Sequence, residues 1–265
     1  MATIAANGIS IYYELHGPAG APVLVLNNGI FMNAAASWLP QTPAFAASYR
    51  VLQYDCRGQG MSDRPDGPYS MAQHADDLAA LLDALGTANA HVLGISYGGE
   101  VAQAFALAYP RRTRSLVLAD TVSEVGPELR LGIEGWRAAA LSGDADLLFL
   151  VSVPWTFSAG FIASHQALIE AARQRFRALD HPAVARLCEA FAGVDFTARL
   201  RSLDVSACII VGGDDILKGP RYAGILREAI RGSELHVIAG AGHAASLEAP
   251  AEFNRIVLEF LAKQA

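Results

Sequence analysis

A serine between two glycines is the position at which this sequence most strongly indicates chemistry. Gly94-Ile95-Ser96-Tyr97-Gly98 follows the apolar pair Val92-Leu93 and precedes a stretch with helical spacing. A sharp turn from strand to helix strains the backbone of its central residue and exposes the serine Oγ. The glycines have no Cβ, so strand and helix approach closely. A plain Gly/Ser turn is the alternative, but the flanking pattern favours Ser96 as a nucleophile.

A serine hydroxyl needs a base, and a histidine is the usual one. His243 is the candidate because it lies in a glycine-rich loop, Gly240-Ala241-Gly242-His243, directly after the last apolar strand pattern. An exposed imidazole on such a loop could reach Ser96. The other histidines lie in strand patterns, helical patterns or the middle of the chain, where a structural role is favoured: His16, His74, His91, His165, His181 and His236.

The base in turn needs a carboxylate that orients it. Gly212-Gly213-Asp214-Asp215 follows the apolar run Cys208–Val211 and precedes His243, which is the chain order serine, acid, histidine. We favour Asp215, with Asp214 in reserve and Asp120, after an earlier strand pattern, as a third candidate. An aspartate after a strand is also a common cap or turn former.

Acyl transfer also needs two N–H groups aimed at the developing negative charge. The N–H of Tyr97, directly after the nucleophile, is one candidate for this oxyanion hole. The N–H of Ile30, in the loop after Val23–Leu26, is the other. Asn28-Gly29 is also a hairpin signal, but residues 32–37 are small and non-alternating, so no partner strand is expected.

Strand and helix patterns alternate along the chain in a way that would position these residues. Such alternation predicts an α/β fold, with a mostly parallel central sheet and helices on both faces. The predicted strands are Ile9–Leu15, Val23–Leu26, Arg50–Tyr54, His91–Ile95, Ser115–Ala119, Cys208–Val211 and Leu235–Ile238. The predicted helices are Ala72–Leu85, Gly98–Tyr109, Arg221–Ile230 and Pro250–Lys263.

The stretch 121–204 breaks this rhythm, because it is helix-like and has no clear strand. We interpret it as a helical cap inserted into a core domain formed by residues 1–120 and 205–265. Such a cap would cover the site and supply an apolar pocket. Phe31, Trp155 and Phe157 are the candidate pocket residues, although aromatic pairs are more often part of a core.

Composition excludes several other classes of protein. The 265 residues carry a formal charge of −6 and no basic run longer than Arg111-Arg112, which argues against nucleic-acid binding. No apolar run is long enough to cross a membrane, and residues 1–7 do not resemble a signal peptide. Three widely spaced cysteines suggest reduced thiols in the cytoplasm. No metal site, dinucleotide fingerprint or P-loop is apparent, so no cofactor is expected.

Several motifs together resemble the α/β-hydrolase family over nearly all of the chain. Residues 55–62 resemble its D-x-R-G-x-G-x-S loop, Gly212-x-x-Asp215 its acid turn, and residues 240–253 its histidine loop and closing helix. The resemblance implies a triad of Ser96, Asp215 and His243, with the Ile30 and Tyr97 N–H groups as oxyanion hole. The chain is most similar to the branch of 3-oxoadipate enol-lactonases and related esterases. It departs from the family in Asn28-Gly29, where His-Gly is usual.

The expected activity is hydrolysis of a small carboxylic ester or lactone through an acyl-enzyme. The same scaffold also supports C–C bond hydrolysis, thioester hydrolysis and perhydrolysis, and fold alone does not choose among them. A non-catalytic ligand-binding protein is the alternative of a different class, although such a protein would be expected to lose a triad residue. The expected partner is therefore a small-molecule ester or lactone, and formation of a homo-oligomer is left open.

Overall fold

The computed structural model describes residues 2–264, and its strands form one mostly parallel sheet. In the described chain the sheet has the order β1-β2-β4-β3-β5-β6-β7-β8. The β1–β2 and β2–β4 pairs are antiparallel and the other neighbours are parallel, which confirms the predicted fold class. The strands are β1 Ala2–Ala6, β2 Ile9–His16, β3 Val23–Asn27, β4 Arg50–Tyr54, β5 Ala90–Ile95, β6 Thr113–Ala119, β7 Ala207–Gly212 and β8 Glu234–Ile238.

Helices connect the parallel strands. No helix within residues 2–264 is both long and apolar enough to cross a membrane. The helices are α1 Ala34–Ser37, α2 Thr42–Phe45, α3 Met71–Ala84, α4 Tyr97–Ala108, α5 Pro127–Ser142, α6 Ala145–Thr156, α7 Ala159–Ser164, α8 Gln166–Phe176, α9 His181–Ala192, α10 Thr197–Leu200, α11 Pro220–Ala229, α12 Ala245–Glu248 and α13 Pro250–Ala262.

The sheet is buried on both faces because successive strand residues point to opposite sides. In β3, Leu24 and Leu26 pack into one core with Phe253 of α13, whereas Val25 packs into the other core with Val101 of α4. Both cores are apolar, which explains why the central strands are nearly continuous hydrophobic runs. Polar loops meet at one edge of the sheet, where the parallel strands have their carboxyl ends.

The first strand was not predicted. β1 pairs with β2 through a two-residue turn at Asn7 and Gly8, with Ala6 opposite Ile9. Both turn residues have positive φ, 49° and 76°, as a type I′ hairpin requires. Ala2–Ala6 is short and its outer part is exposed, so it lacks the apolar alternation of a core strand. The Asn-Gly pair was the available signal.

The chain between β6 and β7 contains the helices α5 to α10, and this segment, residues 127–200, is called the helical insertion below. Apart from an isolated bridge between Glu124 and Asp195, the described residues between β6 and β7 form no strand pairs. The helix-like stretch of the sequence corresponds to helices that pack on one another, most extensively α5 against α9.

Close contact at the β5–α4 turn explains the glycines around Ser96. A Cβ on Gly94 would overlap the carbonyl of Gly98, and a Cβ on Gly98 would overlap the carbonyl of Asn27 at the end of β3. Both obstacles are backbone atoms, which cannot rotate away. The motif therefore reflects packing as well as chemistry.

We predict that Gly98→Ala lowers the free energy of unfolding by about 1–3 kcal/mol or more, because the backbone must shift to admit the methyl group. Gly135→Ala is the matched control. Gly135 lies within α5 with open space around the position of a Cβ, so alanine should stabilise the protein by about 0.5–1 kcal/mol. Urea denaturation measures both, and equal effects of the two substitutions would contradict the packing argument.

Candidate active site

Ser96 lies at the junction of β5 and α4 in a strained backbone conformation. Its φ is 53° and its ψ is −121°, a region that non-glycine residues rarely adopt. The Ser96 N–H donates to the Ala119 carbonyl at the end of β6, 2.9 Å away. The turn is thereby tied to the neighbouring strand, and the Ser96 hydroxyl faces a cavity beside Gly29 and Ile30.

His243 connects Ser96 to Asp215. Its Nε2 lies 2.8 Å from Ser96 Oγ, and its Nδ1 lies 2.8 Å from Asp215 Oδ2. An ionised carboxylate only accepts, so Nδ1 carries the proton and Nε2 accepts from the serine hydroxyl. Asp215, His243 and Ser96 are each less than a tenth exposed. The three predicted residues therefore form a single hydrogen-bonded chain, although they are up to 147 positions apart.

The Asp215 carboxylate is fixed by its own turn. Its Oδ1 accepts from the N–H groups of Leu217 and Lys218, at 2.8 and 2.9 Å, while Oδ2 faces His243. Burial opposes ionisation, but the imidazole and these two N–H groups outweigh it, so the pKa of Asp215 lies below its usual value. The carboxylate therefore stays charged beside the histidine.

The two other candidate acids lie elsewhere. Asp214 is exposed, and only its backbone is held, by an N–H bond to the Ala241 carbonyl of 2.9 Å. Asp120 is buried after β6, with a φ of 45°. Its Oδ1 accepts from the Gly212 N–H at 2.9 Å and its Oδ2 from the Ala245 N–H at 3.2 Å. Asp120 therefore joins the end of β7 to the chain just after His243, without bonding the imidazole.

A buried ion pair lies behind the acid turn. Lys218 Nζ is 2.9 and 3.1 Å from the two carboxylate oxygens of Glu100, in the first turn of α4. Both side chains are almost fully buried, and the ammonium also lies 4.0 Å from the centre of the Phe191 ring in α9. Burial lowers the pKa of Lys218, and the Glu100 carboxylate opposes that shift. The pair thus ties the turn that carries Asp215 to the helix that begins directly after Ser96.

Sequence reasoning did not find the Glu100–Lys218 pair. Its partners are 118 positions apart, and neither stands in a recognisable charge pattern. The burial of Glu100 follows from its position in the first turn of α4, directly beneath the tight turn. Only a three-dimensional arrangement brings the lysine to it.

The two predicted oxyanion N–H groups have no acceptor among residues 2–264. The Ile30 N–H lies in the loop after β3, and the Tyr97 N–H is the first of α4. Gly29 closely approaches Ser96, since a Cβ there would lie 3.9 Å from Ser96 Cβ. Side chains support this loop: Asn28 donates to the Tyr54 carbonyl and accepts from Trp38 Nε1. Asn28 thus has a structural function here.

An apolar cavity opens over Ser96 and His243. Its volume is about 850 Å³, including the part open to solvent. The predicted pocket residues Phe31 and Phe157 line it, together with Trp136 and Phe176 of the helical insertion. Phe31 packs against both of these rings, with ring centres 5.4 and 5.3 Å apart. The segment after β3 that carries Phe31 and the helical insertion thus form one wall together.

The prediction that Trp155 lines the pocket is wrong. Its side chain is 47% exposed and it is not part of the cavity wall. Trp155 follows Val153 by two positions in α6, which rotates it by about 200° around the helix axis. Val153 and Thr156 face the cavity instead. Aromatic character alone does not define the face of a helix.

The insertion also touches the histidine loop. The Ala244 N–H donates to the Thr156 carbonyl at 3.0 Å, and the Ser158 N–H donates to Glu248 Oε1 at 3.1 Å. A Cβ on Gly242 would overlap the backbone of residues 157 and 158. The end of α6 therefore fixes the loop that carries His243.

Among residues 2–264 no group of three or more potential metal-ligating side chains occurs.

The environment of Asp120 generates a prediction about pH. Burial, and then repulsion from Asp215, raises the pKa of Asp120 well above its usual value. The folded protein therefore keeps this proton at a pH where the unfolded chain, with a carboxyl pKa of about 3.9, has lost it. The contribution of Asp120 to wild-type stability must therefore fall as pH rises above about 4, by up to about 1.4 kcal/mol per pH unit, until its folded pKa is passed.

Asp120→Asn removes this proton. The free energy of unfolding of the variant relative to wild type should therefore rise with pH from about 4 upward, as urea denaturation at several pH values would measure. The absolute difference in free energy of unfolding also contains the loss of one accepted hydrogen bond. The change of this difference with pH is therefore the test. Asp214→Asn removes an exposed carboxyl of the same region and is the control. A flat or falling difference for Asp120→Asn would contradict the assignment.

Comparisons with known proteins agree with this architecture. A family model described as alpha/beta hydrolase fold matches residues 22–250. The chain is 30% identical over 259 residues to 3-oxoadipate enol-lactonase 2 of Acinetobacter baylyi, covering 96% of this chain and 94% of that protein. It is 34% identical over 268 residues to a Stutzerimonas stutzeri protein provisionally named carbamate hydrolase RutD, covering 96% and 97%.

A solved structure gives the same result. The enol-lactonase from Burkholderia xenovorans LB400 is similar with a TM-score of 0.93 and 29% identity, covering 98% of this chain and all of that one. The family match spans most of the sheet, the nucleophile turn and the histidine loop. The resemblance inferred from the motifs is thus confirmed, and the chain belongs to the α/β-hydrolase fold family.

Proposed function

We propose that this protein is a serine hydrolase that cleaves a small carboxylic ester or lactone through an acyl-enzyme. The observation that carries the proposal is the buried hydrogen-bonded chain from Ser96 Oγ through His243 to Asp215, with both hydrogen bonds 2.8 Å long. A relative that is an enol-lactonase supports the substrate class. Because a lactone is a cyclic ester, one mechanism serves both.

The acylation step follows from this geometry. Ser96 Oγ attacks the substrate carbonyl carbon while its proton passes to His243 Nε2, 2.8 Å away. The Asp215 carboxylate stabilises the resulting imidazolium through Nδ1–H. The free N–H groups of Ile30 and Tyr97 would bind the oxyanion of the tetrahedral intermediate. Collapse of that intermediate breaks the C–O bond, and the imidazolium gives its proton to the leaving alkoxide.

Deacylation repeats the sequence with water as nucleophile. His243 takes a proton from water, the hydroxide attacks the acyl carbon, and Ser96 leaves as the protonated alcohol. For a lactone the alcohol and the acid stay in one molecule, so a single hydroxy acid leaves the site. The wall formed by Phe31, Trp136, Phe157 and Phe176 would bind the apolar part of the substrate by burial.

The helical insertion is proposed to act as a cap, with residues 121–204 separate from a core of residues 1–120 and 205–265. Support comes from its share of the cavity wall and from its contacts with the histidine loop at Thr156 and Ser158. The three cysteines are free and buried, which suits the reducing cytoplasm that we propose as the location.

Replacing the nucleophile tests the proposal. We expect Ser96→Ala to stay folded and to lower turnover of a p-nitrophenyl ester by roughly 10³–10⁶-fold, because no other group forms the acyl-enzyme. An organophosphonate should add one equivalent to wild type, detectable by mass spectrometry, and none to the variant. A panel of a short-chain ester, an aromatic ester, a lactone and a carbamate then ranks substrates. Absence of wild-type turnover on the whole panel would favour a non-catalytic binding protein.

The role of the acid is tested separately with neighbouring residues. Asp215→Asn should lower kcat by about 10²–10⁴-fold, because an amide no longer stabilises the imidazolium. Asp214→Asn is the matched control, since its side chain is exposed, and it should keep nearly full activity. Asp120→Asn should lose far less than Asp215→Asn. Circular dichroism checks the fold of each variant. Near-normal turnover by Asp215→Asn would refute the acid assignment and leave Ser96 and His243 in place.

A further inference from the structure

Gln59 is a buried residue that the proposed mechanism does not use. It occupies a variable position of the D-x-R-G-x-G-x-S loop and is 3% exposed. Its Nε2 donates to the Gly29 carbonyl at 2.8 Å and more weakly to the Ile30 carbonyl at 3.2 Å. Both carbonyls belong to the loop that carries the proposed oxyanion donor. The contact therefore joins the loop after β4 to the loop after β3.

The Gly29 carbonyl and the Ile30 N–H belong to the same peptide unit. No cis peptide bond occurs among the described residues, so this C=O and this N–H point in opposite directions across a planar group. A donor that fixes the carbonyl on one side consequently fixes the direction of the N–H on the other. The Met32 N–H also donates to the Gly29 carbonyl, at 3.2 Å, so two donors hold this oxygen.

Hydrogen bonds to a carbonyl also polarise the peptide. Electron density moves toward the oxygen, which makes the N–H of the same unit a better donor. The Ile30 N–H has no acceptor within residues 2–264, and Gly29 and Ile30 lie beside Ser96 in the cavity wall. Orientation and polarisation would thus both act where negative charge develops.

The orientation of the Gln59 amide is determined by this contact. Two carbonyl oxygens face its Nε2, so the reversed orientation would place an oxygen against both. The remaining Oε1 is buried and has no partner in the described chain. An unsatisfied buried acceptor is unfavourable. The two hydrogen bonds donated by Nε2 therefore hold the side chain in place.

We propose that Gln59 is a positioning residue for the oxyanion hole, which orients and polarises the Gly29–Ile30 peptide through its carbonyl. This inference rests on the proposed serine hydrolase function and deepens it. Gln59 acts through the Ile30 N–H and does not touch the substrate. Its contribution is expected in the tetrahedral intermediate and its transition states, and hardly at all in substrate binding.

Gln103 offers a matched control. It is also a buried glutamine, its Nε2 donates to two carbonyls, those of Gly99 and Val122, at 3.2 and 2.9 Å, and its Oε1 likewise has no partner in the described chain. Its contacts lie within α4 and the segment after β6. Replacing either glutamine with methionine removes two amide-to-carbonyl bonds and keeps a similar volume, but only Gln59 reaches the oxyanion loop.

The experiment compares Gln59→Met with Gln103→Met. Each variant is assayed for kcat and KM on a p-nitrophenyl ester, for thermal stability, and for inhibition by an alkyl trifluoromethyl ketone. The ketone adds to Ser96 Oγ and places an oxyanion in the hole, so its affinity reports the site directly. We expect Gln59→Met to lower kcat about 10- to 100-fold, less than the roughly 10²–10³-fold cost of removing an oxyanion donor. Ketone affinity should fall by a similar factor, while KM changes little.

Gln103→Met should lose a comparable amount of stability and keep kcat and ketone affinity. Should Gln59→Met not fold, Gln59→Asn is the milder variant, since it shortens the side chain by one methylene and withdraws the amide from Gly29. Wild-type kcat and ketone affinity in either Gln59 variant would overturn the inference, as would equal losses in Gln103→Met. In both cases wild type still turns over the ester, so the proposed function stands. An inactive wild type would instead overturn the proposed function and this inference with it.

Discussion

The strained backbone at Ser96 sets the geometry of the whole site. A serine with φ of 53° is stable only where surrounding packing compensates for the strain. That packing comes from the backbone-to-backbone contacts that Gly94 and Gly98 permit, and from the bond of the Ser96 N–H to the Ala119 carbonyl. Because β5 lies in the middle of the sheet and both β5 and most of α4 are buried, the hydroxyl is held in place. In the proposed mechanism such preorganisation would lower the reorganisation needed during reaction.

Buried acidic and basic side chains surround this turn and link the loops that must meet. Three buried acidic residues lie here, Glu100, Asp120 and Asp215, and Lys218 is the buried cation nearest to Glu100. Burying an ion pair is expensive, so such a pair is weak evidence for stability. Its value here is geometric, since Lys218 anchors the acid turn to α4 while its own N–H holds Asp215. Asp120 similarly bridges β7 and the histidine loop. The triad is thus positioned by contacts behind it.

The cavity wall across from the acid turn is formed by the loop after β3 and by the helical insertion, which are far apart in sequence. Phe31, next to the proposed oxyanion donor, packs between Trp136 and Phe176 of the helical insertion. Gln59 holds the same loop through the hydrogen bond from its Nε2 to the Gly29 carbonyl. The insertion also fixes the histidine loop at Thr156. Movement of the insertion would therefore change the pocket wall and the support of His243 together.

Patterns along the sequence predicted the fold class and the candidate site residues. Strand and helix periods predicted the parallel sheet, and the position of Ser96, Asp215 and His243 after strands β5, β7 and β8 placed all three at one edge, because parallel strands end there together. The Asn7-Gly8 pair is a hairpin signal, but the strand before it is short and weakly apolar, so its pattern does not predict a strand. These features can be predicted from the sequence because each depends on residues that are neighbours along the chain.

The packing of the elements in three dimensions sets which side chains face the cavity and which contacts support them. Trp155 points to solvent while Trp136 forms the wall, a difference set by the rotation of α5 and α6 against the core. The choice of Asp215 over Asp120 rests on which carboxylate reaches His243 Nδ1. The Glu100–Lys218 pair and the Gln59 contact join residues 118 and 30 positions apart. Long-range contacts of this kind depend on how packed elements meet, and no local pattern encodes that.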